Sequence, residues 1–451
     1  MSPSELANAN VVTPLFLAIM LLGGVLILFE RRDWVLPTFL VLTTFVSQVF
    51  HIYVFGLNFF TSRILFLFVL ARVLARGEHR GLRWLPMDKA LVVLSVWMII
   101  AESLQRGMPG FVYGVANYSY DALGTYFVCR IFISKATDLR RLIACLAWSC
   151  CVLGAFMLAE SLTRHNWLTA LGAVVDDVQE RAGRMRCQAT FLHPVLAGTY
   201  GAVLLPLFAA CWWQGPRVKK LAVAGCIATT VITLTAGSGG PVMTFAAAVI
   251  ALCFWPLRGR MRLVRWGVLL TLIALHLVMK APVWALIGRM QVTQGASAYH
   301  RFELLDSFIR HIGDWWFIGI EKTESWGYLT DDVANTYCIV AKHSGLLGLI
   351  LFIRLLAAGF REVGLRRKDA GADRATEIMV WAFGASLFGH LVTFMGTSYF
   401  DQTHVLWALT LAMIASLGLL AEKQETLEKI KMAEASLTEE GITQELPAAA
   451  N

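Results

Sequence analysis

Charge is what this chain has least of: Asp, Glu, Lys and Arg make up only 16% of its 451 residues, against about a quarter in soluble domains. That scarcity argues against an ordinary soluble enzyme. Signature motifs are also missing, with no H-E-x-x-H, P-loop, G-x-S-x-G or dinucleotide fingerprint anywhere. Nor does any apolar segment carry a run of acids and histidines that would mark a proton relay. The nine cysteines form no C-x-x-C pair, and six of them (Cys145, Cys150, Cys151, Cys211, Cys226, Cys253) lie in apolar runs. They read as small buried hydrophobes, whereas Cys187 falls in a loop and reads as a free thiol. No metal and no organic cofactor is expected. The N-terminus MSPSELANAN has no positive region before the first apolar run, so that run reads as a retained span rather than a signal peptide.

What is present is hydrophobicity: 57% apolar residues and a mean hydropathy of +0.62. It is concentrated in windows of about 20 residues, the length at which a helix crosses a bilayer. The runs are continuous rather than alternating, which selects helices over a β-barrel. The expected fold is therefore all-α, a polytopic integral membrane protein with about 12–13 transmembrane helices. Apolar segments fall at 11–29, 34–55, 59–75, 87–103, 109–131, 142–162, 192–213, 221–237, 240–257, 266–287, 335–358, 377–398 and 403–421. The run 109–131 is the least regular, broken by Asn117, Tyr118, Tyr120 and Asp121. Residues 1–421 read as one membrane domain, and 422–451 as a cytoplasmic tail, a short charged helix followed by disorder.

The net charge of +8 does not point to nucleic acid. Lys and Arg cluster in short loops, at 76–83, 130–141, 217–220, 258–265 and 361–374. This is the positive-inside pattern that sets orientation, not a basic face with interleaved aromatics. Both long connections, 163–191 and 288–334, then lie on the outer face. The second holds four Lys/Arg against seven Asp/Glu, in keeping with that side of the membrane. Within it, Phe302, Leu305, Phe308, Ile309 and Ile312 recur at helical spacing. An amphipathic helix on the outer leaflet is expected, with charges toward a cavity and Trp315 and Trp316 as interfacial anchors.

Ionisable residues at span ends are costly enough to suggest function. Arg63, Glu102, Glu160, His193, Asp331, Asp332 and Asn335 all fall at the outer boundary, where together they would line one cavity. Arg63 and Glu102 have an equally good reading as snorkelling interface residues. His276 and His390 read as hydrogen-bonded structural histidines, and either Lys342 or His343 could face the cavity. Arginine forks suit phosphate and diphosphate, so a lipid-tailed diphosphate substrate is the chemistry expected at this depth. Glycosyl transfer from such a donor needs cations on the leaving diphosphate and a carboxylate or imidazole to take the acceptor proton.

Several segments in order resemble the O-antigen ligase and O-antigen polymerase (Wzy-type) membrane glycosyltransferases. They are YFVCRIFISKATDLRRLI, RMRCQATFLHPVLAGTYGAVLLPL and TAGSGGPVMTFAAAVIAL, then AYHRFELLDSFIRHIGDWWFIGI ahead of VANTYCIVAKHSGLLGLILF. The likeness covers roughly residues 120–360. It implies a GT-C-like enzyme of the bacterial inner membrane, multi-pass, with its active face in the periplasm. The implied substrate is an undecaprenyl-diphosphate-linked oligosaccharide, moved to a growing glycan or lipid acceptor among membrane lipids. A flippase and chain-length regulator proteins are the implied partners. By position, Arg186 and Arg301 would bind the diphosphate, joined by Arg63, and Asn335 would stand beside the reacting groups. Where the ligases have His-Asn this chain has Ala334-Asn335, which removes the obvious base. Glu303, Asp306, Asp332, His193 and His343 are the alternatives. The substitution favours a polymerase of exopolysaccharide or O-antigen repeats over a ligase acting on lipid A-core. A transporter or lipid-linked glycan flippase is the rival class, and it predicts inverted repeats with broken helices in matching halves. The two unrelated long loops do not supply them.

Overall fold

The computed structural model describes residues 10–54, 57–172, 179–181, 183–286, 297–327, 333–371 and 373–419. Asp331, Asp332 and the tail 422–451 lie outside the described residues, as do parts of both long connections. The architecture is helical, as expected from the continuous apolar runs. Among the described residues, six helical stretches are long and apolar enough to cross a membrane, and three shorter apolar helices accompany them. The only described strands are two short antiparallel hairpins.

In order, the helices begin with α1 (Pro14–Phe29), α2 (Arg32–Phe45), α3 (Thr61–Arg76) and α4 (Pro86–Arg106). Next come α5 (Met108–Gly114), a π-helical segment (Val115–Gly124) and α6 (Thr125–Phe132). The middle of the chain supplies α7 (Ala136–Thr163), α8 (Pro194–Cys211), α9 (Pro216–Thr235), α10 (Gly239–Cys253) and α11 (Met261–Val278). The last group is α12 (Ser297–Arg310), α13 (Ile312–Trp315), α14 (Thr336–Asp369), α15 (Arg374–Phe394) and α16 (Gln402–Ala415).

Two expected spans are corrected. The segment 34–55 stops being helical at Phe45, and β1 (His51–Val54) pairs with β2 (Leu57–Phe60) beyond it. The irregular run 109–131 stays helical but widens into the π segment at the polar residues Asn117, Tyr118, Tyr120 and Asp121. A π-bulge adds a residue to the turn and rotates the facing of the next helical turns, a device common at functional sites.

Burial follows composition. Helix α8 is apolar on every face and almost wholly buried, wrapped by α9, α10 and α15. Helix α11, apolar beyond Arg265 apart from His276, contains no buried residue, as suits a helix that faces lipid. At the end of the bundle carrying the basic loops, buried arginines act as locks. Arg72 donates to the Ile27 and Glu30 carbonyls at 2.7 and 2.8 Å. Arg130 reaches Asp88 at 3.2 Å and Ser416 at 2.9 Å, and Tyr126 shares Asp88 at 2.6 Å.

The opposite end holds the long connections. Helix α12 is amphipathic, but its buried face is Leu304 and Phe308, while Ile309 and Ile312 are exposed. The tryptophans also divide. Trp315 is buried and donates to the Phe308 carbonyl at 2.8 Å, and only Trp316 faces outward. The expectation failed because α12 packs on the start of α14 through Val333, Cys338 and Ala341 instead of lying free on lipid. Helix α14 breaks at Gly345, whose φ of 66° and ψ of −167° belong to a region that only glycine enters cheaply. A Cβ there would also sit 2.5 Å from the Phe317 carbonyl oxygen. Gly345→Ala is therefore expected to cost on the order of 1–3 kcal/mol, read as a lowered Tm in detergent micelles.

Candidate functional site

The turn Cys187–His193 is buried in an apolar bundle, so each of its backbone groups needs a partner. Cys187 N–H donates to the Thr235 carbonyl at 3.0 Å. Glu160, closing α7, accepts from Gln188 N at 3.0 Å and Ala189 N at 2.9 Å, one amide on each carboxylate oxygen. Asn166 donates to the Ala189 carbonyl, Gln402 to that of Thr190, and Thr190 to that of Thr44. Asp401 accepts from Leu192 N at 3.0 Å and Thr403 N at 3.1 Å. His193 then caps α8, its Nδ1 accepting from Val195 N at 3.2 Å.

This turn carries Arg186, which enters from the second hairpin, β3 (Gln179–Arg181) paired with β4 (Arg184–Arg186). Arg186 lies against the break between α9 and α10. Gly237 has a φ of +55°, and a Cβ there would collide with the Met185 carbonyl and stand 3.3 Å from Arg186 Cγ. Only a glycine lets the two chains approach so closely.

Arg301 reaches the same break from α12. A Cβ at Gly240 would lie 3.4 Å from its Nη2, and one at Gly396 would lie 2.5 Å from its Nε. The two arginines thus flank the N-terminus of α10, residues Ser238 to Gly240, where no side chain caps the helix. Among the described residues no carboxylate pairs with either guanidinium. Burial pushes both below the ordinary arginine value, and Arg181 adds to the effect at Arg186. His193 Nε2 stands 3.5 Å from Arg186 Nη2. The guanidinium can only donate in that contact, so His193 has a protein donor against each ring nitrogen, Val195 N–H at Nδ1 and Arg186 at Nε2. Two half-buried cations and an uncapped helix N-terminus lie together here, an arrangement whose electrostatics favour an anion.

Compared with known proteins, the chain matches no family model and no curated protein.

The other candidate residues are placed differently. Arg63 is buried and spent: it forks onto Asp121 at 2.8 and 2.5 Å and donates to the Asn58 carbonyl at 2.8 Å. Asp121 lies on the π segment, so the polar break in that run is the counter-charge of Arg63. The structure therefore does not bring Arg63 into the arginine pair. Asn335 is also spent, its Oδ1 capping Cys338 N at 3.1 Å and its Nδ2 donating to the Met395 carbonyl at 3.0 Å. It ties the start of α14 to the end of α15, beside Gly396 and Arg301, and is a positioning residue. Glu303 sits two residues beyond Arg301 and so projects from roughly the opposite side of α12. Asp332 lies outside the described residues. Asp306 pairs with Arg310 at 2.7 Å and accepts from the Trp284 indole. Cys187 is not an open thiol. It is fully buried, and burial pushes the thiol up to about 12. His390 behaves as expected of a structural histidine, between Tyr399 at 2.7 Å and Thr410 at 3.3 Å.

Sequence reasoning missed Asp401. Its φ of 58° is rare for a residue other than glycine, and burial pushes its carboxyl up to about 7. The only signal available was an acid in YFDQTH immediately before an apolar run.

Both buried carboxylates can be probed. Glu160→Gln replaces one acceptor with an amide NH2 facing a backbone N–H, and is expected to cost about 1–3 kcal/mol of stability, measured by thermal unfolding. Asp401 has a folded value above its unfolded value of about 4, so its contribution to stability is full below that pH and is lost as pH rises toward about 7. Asp401→Asn should flatten this part of the stability–pH curve.

Proposed function

We propose that the protein transfers glycan repeat units from undecaprenyl diphosphate on the outer face of the bacterial inner membrane, polymerising exopolysaccharide or O-antigen. The observation that carries the reading is the pair Arg186 and Arg301, both without a carboxylate partner among the described residues, at the uncapped N-terminus of α10. Two half-buried guanidinium groups without a carboxylate are neutralised best by a polyanion, and guanidinium forks match diphosphate oxygens. The resemblance of residues 120–360 to the Wzy-type and ligase enzymes supports the same reading. So do the thirteen apolar segments of the sequence and the placing of both long connections by the positive-inside pattern. A GT-C-like membrane fold with a periplasmic α12 is part of the proposal.

In the reaction the acceptor hydroxyl attacks the anomeric carbon and the bond to the diphosphate breaks. The growing negative charge on the leaving oxygen is met by Arg186 and Arg301, with the first amides of α10 as further donors. Glycine at position 396 lets Arg301 lie flat against the end of α15.

Protein reconstituted with undecaprenyl-diphosphate-linked oligosaccharide should lengthen the glycan. Arg301→Ala should lower turnover by about 100-fold or more, and Gly396→Ala should mimic it by displacing the side chain. Arg301→Lys should recover part of the activity only, because an ammonium lacks the fork. Full activity in Arg301→Ala would refute the assignment. Transfer to lipid A-core without lengthening would identify a ligase instead.

A further inference from the structure

We infer that His343, held by Glu102 and set two turns along α14 from the contact with the end of α15, is the proton acceptor for the attacking hydroxyl; this rests on the transfer reading above. Glu102 is completely buried in α4. One of its oxygens contacts His343 Nδ1, with the Tyr118 hydroxyl 3.4 Å away, and the other is held by Arg106. The imidazole stacks on Tyr113, with ring centroids 5.9 Å apart and planes at 22°. Its backbone is fixed as well. Gln105 donates to the His343 carbonyl at 2.9 Å and the Ile318 carbonyl at 2.6 Å, and the Trp97 indole donates to the Ser344 carbonyl at 2.8 Å. These bonds are available because α14 breaks at Gly345, close by in the chain.

With Nδ1 on the carboxylate, the neutral ring keeps its proton there and presents the Nε2 lone pair. Nε2 has no hydrogen bond among the described residues, and the side chain remains 22% exposed. His193 has protein donors at both nitrogens, Val195 N–H at Nδ1 and the Arg186 guanidinium at Nε2. Of these two histidines, only His343 has a ring nitrogen with no hydrogen bond to it among the described residues. Thr336, two turns before His343 on the same face of α14, donates to the Thr397 carbonyl at 3.0 Å, beside the Gly396 against which Arg301 lies. The dyad thus stands about 10 Å along α14 from the end of α15 that carries Arg301's contact.

In the proposed step the acceptor oxygen forms its bond to the anomeric carbon and gives its proton to His343 Nε2. The anomeric carbon–diphosphate bond breaks, its electron pair leaves on the diphosphate oxygen, and Arg186 and Arg301 balance that charge. Glu102 is a positioning residue: it fixes the tautomer and stabilises the imidazolium. The charged or titratable groups around His343 are Glu102 and Arg106 from α4, Tyr113 from α5 and Tyr118 from the π segment. Glu321, after α13, and Lys342 on its own helix complete the set.

The test uses the full chain in proteoliposomes, with two readouts: turnover on undecaprenyl-diphosphate oligosaccharide, and binding of undecaprenyl diphosphate alone. His343→Gln should lose about 100-fold or more in turnover while binding is kept. His343→Ala should regain part of its turnover with added imidazole. Glu102→Gln should lose less and move the acidic limb of the pH–rate profile to lower pH. Wild-type turnover in His343→Gln, or loss of diphosphate binding in it, would overturn the assignment. A wild type that binds but His343 variants that imidazole does not rescue would also overturn it, leaving the transfer reading intact. A wild type that neither binds nor transfers would overturn both.

Discussion

Backbone amides that leave a helix inside an apolar bundle must find partners in the protein, and the turn Cys187–His193 is where this demand is heaviest. Glu160 answers it from α7, Asn166 from the connection after that helix, and Asp401 and Gln402 from the start of α16. The result is a rigid platform made from a segment with little secondary structure of its own. Arg186 projects from one edge of that platform and His193 from the other. Everything the site does depends on these buried carboxylates accepting backbone hydrogen bonds rather than reacting.

The same economy sorts the cations into two groups. Arg63, Arg72 and Arg130 are buried, each with a carboxylate and carbonyls around it, and their charge is balanced within the fold. Arg186 and Arg301 are half-buried and lack such balance among the described residues. A partly desolvated charge without a counter-charge is costly, and its presence at two positions facing one helix N-terminus is the strongest physical argument for an anionic ligand. The π segment belongs to the first group, since it supplies Asp121 to Arg63 and Tyr118 to the Glu102 cluster.

Much of this was legible in the sequence. The helical membrane class follows from apolar length alone, because lipid offers no partner for an open backbone. The amphipathic α12 and the structural character of His390 were also readable. Misreadings occurred where local pattern met tertiary contact. Apolar periodicity placed Phe302, Leu305, Phe308, Ile309 and Ile312 on one lipid-facing side of an interfacial helix, yet Leu304 and Phe308 are buried because α14 lies on that side. Arg63 looked like a phosphate ligand because its partner is 58 residues away. Asn335 looked reactive because a polar residue at a span entrance reads the same whether it caps a helix or touches a substrate.

By itself the sequence determined which segments are helical and apolar, which end of the bundle carries the basic loops, and which residue types gather near the other. Those properties depend on local composition and the length of a membrane core. The tertiary structure alone decided which charges are neutralised, which histidine nitrogen is open, and that two arginines 115 residues apart share one helix end. Pairing, tautomer and proximity depend on neighbours brought together by packing, and no local pattern encodes them.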